Sequence, residues 1–306
     1  MNYAVGAIFK NEDAYLLEWL AFHRVIGFSR FMIADNGSSD LTRQMLAALE
    51  PHEPLTVLDF PDVEGKRPQL SAYNALISAC PKDVDAIAFV DIDEFIVPMD
   101  GADSVTPALD EVFGDPEVSS LALNWACFGS SGKKFWEDGL VMERFIKRGL
   151  KTFPVNQHYK SVVRPDRVAY WDTPHHAQLT SGRLVDTSLR DVQFRANTKH
   201  SLSHEVLWDK LRINHYVVKS VEEFVLKKSP KGSASKAGRV KHQRYFELHD
   251  KNARPCEEIL RFVPAVKAEI LRLEAIIAPA IRDGAPNEGS GFKQWFRSIR
   301  SGLRRE

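Results

Sequence analysis

Asp85-Ala86-Ile87-Ala88-Phe89-Val90-Asp91-Ile92-Asp93-Glu94-Phe95-Ile96-Val97-Pro98 is an apolar run that ends in three carboxylates and then resumes. Residues 86–90 have the length and composition of a strand buried on both faces, as in the middle of a parallel sheet. Such a strand delivers its acids to the carboxyl edge of the sheet, where open α/β sheets bind ligands. In an extended chain residues two apart share a face, so Asp91 and Asp93 are expected to project together, with β-carbons roughly 6 to 7 Å apart and Ile92 turned into the core. Two carboxylates that close repel each other, and a hard cation removes the penalty, so Asp-x-Asp reads as a site for Mg²⁺ or Mn²⁺. Turn and cap carboxylates closing a strand are the plainer reading of the same residues.

Working outward, the first hundred residues alternate strand and helix. Strands are expected at residues 4–9, 31–34 and 57–58, and helices at 14–26, 41–49 and 68–79. This order calls for a mostly parallel central sheet with helices on both faces. Leu16, Trp19, Leu20, His23 and Ile26 share one face of the first helix, and Gly27 ends it. After Pro98 the pattern becomes mixed α+β, with a short helix at 108–113 and strands at 119–127, 162–163, 184–185 and 213–218. A helix begins at 221–226, and a long one covers 257–277. The expected division is one domain over residues 1–250 and a helical carboxyl-terminal extension over 251–306.

Apolar residues make up 44% and charged residues 27% of the 306, which suits a globular chain with a large core. Lys+Arg and Asp+Glu both number 41, so global charge gives no reason to expect nucleic acid as a partner. Cys80, Cys127 and Cys256 are far apart and form no CxxC pair, which argues for a reducing compartment. No basic region followed by an apolar stretch opens the chain, and no window of about 18 apolar residues occurs. The expectation is a cytoplasmic protein. Phe292, Trp295, Phe296, Ile299 and Leu303 share one helical face among Lys293, Arg297, Arg300, Arg304 and Arg305. Residues 290–306 thus read either as an interfacial helix on the inner, anionic face of a membrane or as an amphipathic helix packed on the domain.

Lys10-Asn11-Glu12 and Asp35-Asn36-Gly37-Ser38-Ser39-Asp40 leave the carboxyl ends of two neighbouring strands, the edge that carries Asp91 and Asp93. Their side chains suit a base and ribose, and equally suit helix capping. Neither loop contains a GxGxxG or GxxxxGK[ST] pattern.

Taken together, four segments resemble the GT-A glycosyltransferases of the family 2 and family 92 type. They are Lys10-Asn11-Glu12 with Glu18-Trp19-Leu20 and His23; Asp35-Asn36-Gly37-Ser38-Ser39-Asp40; Phe89-Val90-Asp91-Ile92-Asp93-Glu94-Phe95; and His215-Tyr216-Val217-Val218-Lys219-Ser220 with Glu223-Phe224. Their order and spacing carry the resemblance, over about residues 3–245. It implies a nucleotide-diphospho-sugar donor, UDP favoured, a divalent metal, and transfer of the sugar to a glycan or lipid-linked acceptor. It places Asp91 near the ribose, brings Asp93 to the metal, and has His215 complete the metal or diphosphate site. Lys219, with Lys227, Lys228 and Lys231, matches the basic stretch that closes over the donor.

His175-His176 is a rival to His215, and adjacent residues of an extended chain face opposite ways, so at most one of the pair serves a given metal. An inverting reaction needs a carboxylate to take the acceptor proton. Glu94, Asp138 and Glu143 are the candidates, with Asp138 preferred over Glu143. Trp125, Phe135 and Trp136 offer aromatic faces for sugar stacking. The rival readings are a metal-dependent phosphohydrolase or nucleotidyltransferase, and a nucleotide-sugar or glycan-binding module without turnover.

Overall fold

The computed structural model describes residues 1–61, 68–198, 200–230 and 241–284. The amphipathic stretch at 290–306 and Lys231 lie outside the described residues. In chain order the first elements are β1 (Tyr3–Phe9), α1 (Leu16–Val25), β2 (Arg30–Asp35), α2 (Thr42–Leu49), β3 (Leu55–Asp59), α3 (Pro68–Ser78) and β4 (Ala86–Phe89). They are followed by β5 (Glu94–Pro98), α4 (Thr106–Phe113), β6 (Val118–Cys127), α5 (Val141–Arg144), β7 (Lys147–Arg148), β8 (Tyr159–Val163), β9 (Val168–Trp171), β10 (Ala177–Leu179) and β11 (Arg183–Val185). The rest are β12 (Leu211–His215), α6 (Val221–Glu223), α7 (Gln243–His249), β13 (Arg254–Pro255) and α8 (Val263–Gly284).

The main sheet runs β3-β2-β1-β4-β8-β6-β12-β5, with β11 also paired to β6. The half formed by β3, β2, β1 and β4 is parallel, and beyond β4 the pairing is mixed. The chain steps from β1 outward to β2 and β3, then returns to the other side of β1 with β4. That reversal opens a crevice at the carboxyl ends of β1 and β4, the place where such sheets hold ligands.

Strand periodicity decides which face each helix covers. Tyr3, Val5, Ala7 and Phe9 join the core shared with α1 and α2, whereas Ala4 joins Tyr73 and Leu76 of α3 on the opposite face. α8 is built into the first of these cores through Val266, Ile270, Leu273 and Ile277, and Phe22 of α1 meets the Phe262 ring edge-on at 5.8 Å. The same seam carries ion pairs, Arg24 to Glu269 at 3.0 Å and Arg272 to Glu53 at 2.6 Å. Such partly exposed pairs contribute about 0–1 kcal/mol each, against roughly 1.5–3 kcal/mol for each buried aliphatic side chain. The apolar contacts dominate.

Three expectations need correction. The central strand stops at Phe89, and residues 91–94 form a turn closed by the Glu94 N–H donating to the Asp91 carbonyl at 2.9 Å. Asp91 and Asp93 therefore follow a turn and not the two-residue alternation of extended chain. The late strand ends at His215, earlier than Val218, because the backbone leaves the sheet once the Tyr216 N–H has bonded to the Asp93 carbonyl at 2.8 Å. The helix at 221–226 is one α turn, α6, followed by a π turn over Phe224–Lys228.

His23, wholly buried in α1, shows how the core handles a titratable group. Its Nδ1 lies 2.9 Å from the Trp19 carbonyl and must donate, which leaves Nε2 to accept from the Ile96 N–H at 3.4 Å. The neutral ring satisfies both contacts, and burial drives its pKa down to about 3. In the unfolded chain the ring titrates at about 6.5, so below that pH the unfolded state takes a proton that the fold refuses. This contribution to stability is complete above about pH 6.5 and declines as the pH falls toward the folded value. His23→Leu should flatten the decline, so urea midpoints at pH 7 and pH 4.5 should diverge less for the variant than for the parent. Equal divergence would place the acid sensitivity elsewhere.

Candidate active site

The turn at 91–94 is held from below and from the side. The Trp19 indole N–H reaches the carbonyls of Asp91 and Glu94, both at 3.1 Å. The Glu94 side chain reaches back, its Oε2 accepting from the Asp91 N–H at 2.8 Å. Beside it the Lys160 ammonium, 1% exposed, lies 3.1 Å from Asp91 Oδ2 and 3.5 Å from Glu94 Oε2. Gln69 Nε2 donates to Asp91 Oδ1 at 2.9 Å, and the Tyr73 hydroxyl is 3.3 Å from the same oxygen. Burial, with Asp91 and Asp93 nearby and Lys160 opposing, lifts the Glu94 pKa to about 8. Despite its burial Lys160 is held protonated by Asp91 and Glu94.

Asp93 points into a second group. The Lys228 ammonium bonds its Oδ2, and His215 Nε2 lies 3.7 Å from that oxygen. Against burial, Lys228 and His215 hold the Asp93 carboxyl well below the usual carboxylate range, so it is ionised. Burial lowers the His215 pKa against the pull of Asp93, toward the neutral imidazole that binds metals. The Trp125 ring packs on His215 at 4.2 Å, on His158 at 4.8 Å and on His175 at 5.2 Å. Among the described residues, Trp125 Nε1 and His215 Nδ1 are buried with no hydrogen-bond partner. A polar ligand is the usual remedy for such orphaned groups.

Lys219 completes this side. It is 8% exposed, with backbone φ of +55° and its ammonium 4.2 Å from the Tyr15 ring centroid. Burial, seconded by Lys228, lowers its pKa against the pull of Asp93.

The two early loops are knitted to each other. Asn11 Oδ1 accepts from the Ser39 N–H at 2.7 Å, the Asn11 N–H donates to Ser38 Oγ at 3.0 Å, and the Glu12 N–H donates to Thr42 Oγ1 at 2.7 Å. Asp35 caps the Ser38 N–H at 3.2 Å and pairs with Arg43 at 3.1 Å, while Asn36 Nδ2 bonds the Phe60 carbonyl at 2.9 Å. These contacts tie the two loops to each other, and neither α1 nor α2 has a side-chain hydrogen bond at its N-cap. Lys10 and Glu12 are half-buried at the same edge.

The three candidate bases are scattered. Glu94 is fully buried beneath the turn. Glu143 is tied to the Leu140 N–H at 3.1 Å and to Lys267 at 2.9 Å. Asp138 is exposed in the 133–139 loop, which docks on α6 through the Trp136 N–H to Glu222 at 2.6 Å. Of the aromatic candidates, Trp125 lines the site, Trp136 packs on Tyr15 at 6.1 Å and Phe135 is 71% exposed.

Lys160, Gln69 and Tyr73 were missed by sequence reasoning. One signal was available: a lysine inside Tyr159-Lys160-Ser161-Val162-Val163, a strand that is otherwise uncharged, needs a buried carboxylate partner.

Asp93, a neutral His215 and the Asp91 carboxylate form a donor set that suits a hard divalent cation, and the ammonium on Asp93 already stands where positive charge is accepted. The three do not form a ready-made trio, because Asp91 is engaged by Lys160 and Gln69 while Asp93 and His215 pair with each other.

Glu223 anchors the chain that carries the lysines. Its carboxylate takes a bidentate pair from Arg144 at 2.9 and 3.0 Å, the Tyr15 hydroxyl at 2.9 Å and the Ser220 hydroxyl at 2.7 Å. Both charged partners are almost fully buried. Arg144→Met leaves that carboxylate without its counter-charge and should cost about 3–5 kcal/mol. In urea unfolding the added change Glu223→Gln should restore part of the loss, and additive losses would refute the coupling.

Residues 3–256 match the model of glycosyltransferase family 92. A glycosyltransferase family 92 protein of Oryza sativa subsp. japonica is 24% identical over 189 residues, 58% of this chain and 30% of that protein. One from Ricinus communis is 24% identical over 184 residues, 58% of this chain and 32% of that protein. The chain thus spans about a third of the length of these curated relatives. Among solved structures, Staphylococcus aureus TarS 1-349 in complex with UDP-GlcNAc is 13% identical with a TM-score of 0.43, covering 92% of this chain and 72% of that one. Glucosyl-3-phosphoglycerate synthase of Mycobacterium tuberculosis, in complex with Mn²⁺, UDP-glucose and phosphoglyceric acid, is 14% identical with a TM-score of 0.33, covering 55% and 58%. Of the two families in the resemblance, family 92 is the one whose model matches. With a family match over residues 3–256, most of its length, the chain belongs to glycosyltransferase family 92.

Proposed function

We propose that the protein transfers a sugar from a nucleotide-diphospho-sugar, UDP-linked, to a hydroxyl of a glycan or lipid-linked acceptor, with Mn²⁺ or Mg²⁺ as cofactor. The observation that carries this reading is the ionised, buried Asp93 at the carboxyl edge of the sheet, with Lys228, Lys219 and His215 around it. A carboxylate for a cation beside lysines for phosphate oxygens is the charge pattern a metal diphosphate requires. Asp93 and His215 would hold the metal, with Asp91 toward the ribose. When bound, the metal neutralises charge on the departing diphosphate.

The chain's own residues do the rest. Lys219 and Lys228 offer ammonium groups to the diphosphate, and the Arg144–Glu223 pair fixes the segment that carries them. Trp125, its ring packed on His215, offers its indole N–H to the sugar side. Asp138, exposed in a loop docked on α6, is the proposed proton acceptor for the incoming hydroxyl.

Calorimetric titration with UDP and with GDP, each with Mn²⁺ present or chelated, tests the donor site. UDP should bind in a metal-dependent way, and Asp93→Asn should weaken it by more than ~100-fold, beyond the 10–100-fold typical of groups outside the metal's own ligands. Equal binding by parent and variant would sink the assignment of Asp93. Release of phosphate from the donor without sugar transfer to any acceptor would favour the phosphohydrolase.

A further inference from the structure

His175 and His176 do face opposite ways. His175 is buried against Trp125 and His158, with Nδ1 2.7 Å from the Tyr159 carbonyl. His176 turns to the other side, where Asp172 and His200 meet it. One donor atom from each of Asp172, His176 and His200 lies within 4.8 Å of the others, the only such trio of His, Cys, Asp or Glu among the described residues. His176 Nδ1 and Asp172 Oδ1 are 3.1 Å apart. That contact is a hydrogen bond, and a tetrahedral ion at about 2.0–2.1 Å from both atoms would hold them about 3.3 Å apart, so a cation could replace the shared proton with little movement.

The surroundings hold each donor in place. Gln178 Nε2 donates to Asp172 Oδ2 at 2.9 Å, which leaves Oδ1 for the cluster. Thr173 Oγ1 accepts from the N–H groups of His175 at 3.2 Å and His176 at 3.0 Å, fixing the turn between β9 and β10. His200 has a left-handed backbone, φ +57°, and its carbonyl accepts from the Tyr159 hydroxyl at 2.6 Å. The Phe194 ring covers both imidazoles, 4.5 Å from His200 and 5.6 Å edge-on to His176. An apolar wall on one side and fixed partners behind the donors are the supports that metal ligands ordinarily have.

We propose that Asp172, His176 and His200 form a zinc site, separate from the Asp93 site, that clips His200, near the antiparallel bridge of Phe194 with Ser203, onto the turn joining β9 and β10. Two imidazoles and one carboxylate suit Zn²⁺, whereas Mg²⁺ and Mn²⁺ prefer oxygen donors. The exposed side of His200 leaves the fourth position to water. Because His175 is the next residue along, the clip also braces the wall on which Trp125 packs.

Titrating chelator-treated protein with Co²⁺ tests this, since a tetrahedral site gives a visible absorption band that Zn²⁺ then displaces. One equivalent should account for the tetrahedral band, whatever Co²⁺ the Asp93 site takes besides, and Zn²⁺ should raise the Tm of the parent. His200→Asn keeps a residue tolerant of the left-handed backbone, so it should fold normally by circular dichroism. It should lose the band and the Tm shift, weakening Zn²⁺ by at least ~10-fold, and Asp172→Asn should do the same. Asp93→Asn should keep both. A band that survives His200→Asn, or that vanishes with Asp93→Asn, would overturn the site, as would Co²⁺ binding without a tetrahedral band.

Discussion

A buried ammonium among acids is the constraint from which the site is built. Lys160 rises from β8 with almost no exposure and sets its charge against Asp91, Glu94 and the Tyr73 hydroxyl. A lone charge there would cost several kcal/mol, so β8, the turn and α3 must come together for any of them to be tolerated. The sheet partner and the turn therefore specify each other. With Trp19 bonding both carbonyls from beneath, the turn has little freedom, and Asp93 meets Lys228 and His215 instead of Lys160.

This division separates two carboxylates that the sequence places side by side. Asp91 is stabilised by Lys160 and Gln69, and Asp93 by Lys228 with His215. One acid is locked into the framework through a lysine of the sheet, whereas the other answers to a lysine on the late 219–228 segment. That segment is itself secured by the Arg144–Glu223 pair, which shares its carboxylate with Tyr15 and Ser220.

Much of the frame was legible because hydrophobic period and strand length are local signals. β1 to β4 and the helices between them follow from runs such as Ala86 to Phe89 and from the 3.6 period of Leu16, Trp19, Leu20 and His23. The turn at 91–94 was not legible, because what bends it is an indole from α1 some 70 residues earlier, which no window around the aspartates contains. Nor could spacing say that Asn11 and Asp35 would spend their acceptors on neighbouring N–H groups, since a cap and a ribose contact call for the same side chains. The pairing of His176 with His200 depends on two loops meeting across a Phe ring, a purely tertiary fact.

The π turn over Phe224–Lys228 has a consequence of its own. It ends with an ammonium on Asp93, so the chain carries a covalently attached counter-ion for its own acidic centre. A tethered charge acts at an effective concentration set by its tether, millimolar for short flexible ones, whatever is free in solution. Any cation that settled on Asp93 would have to displace that ammonium: a monovalent ion would merely replace what Lys228 already supplies, and only a species of higher charge density would have an advantage.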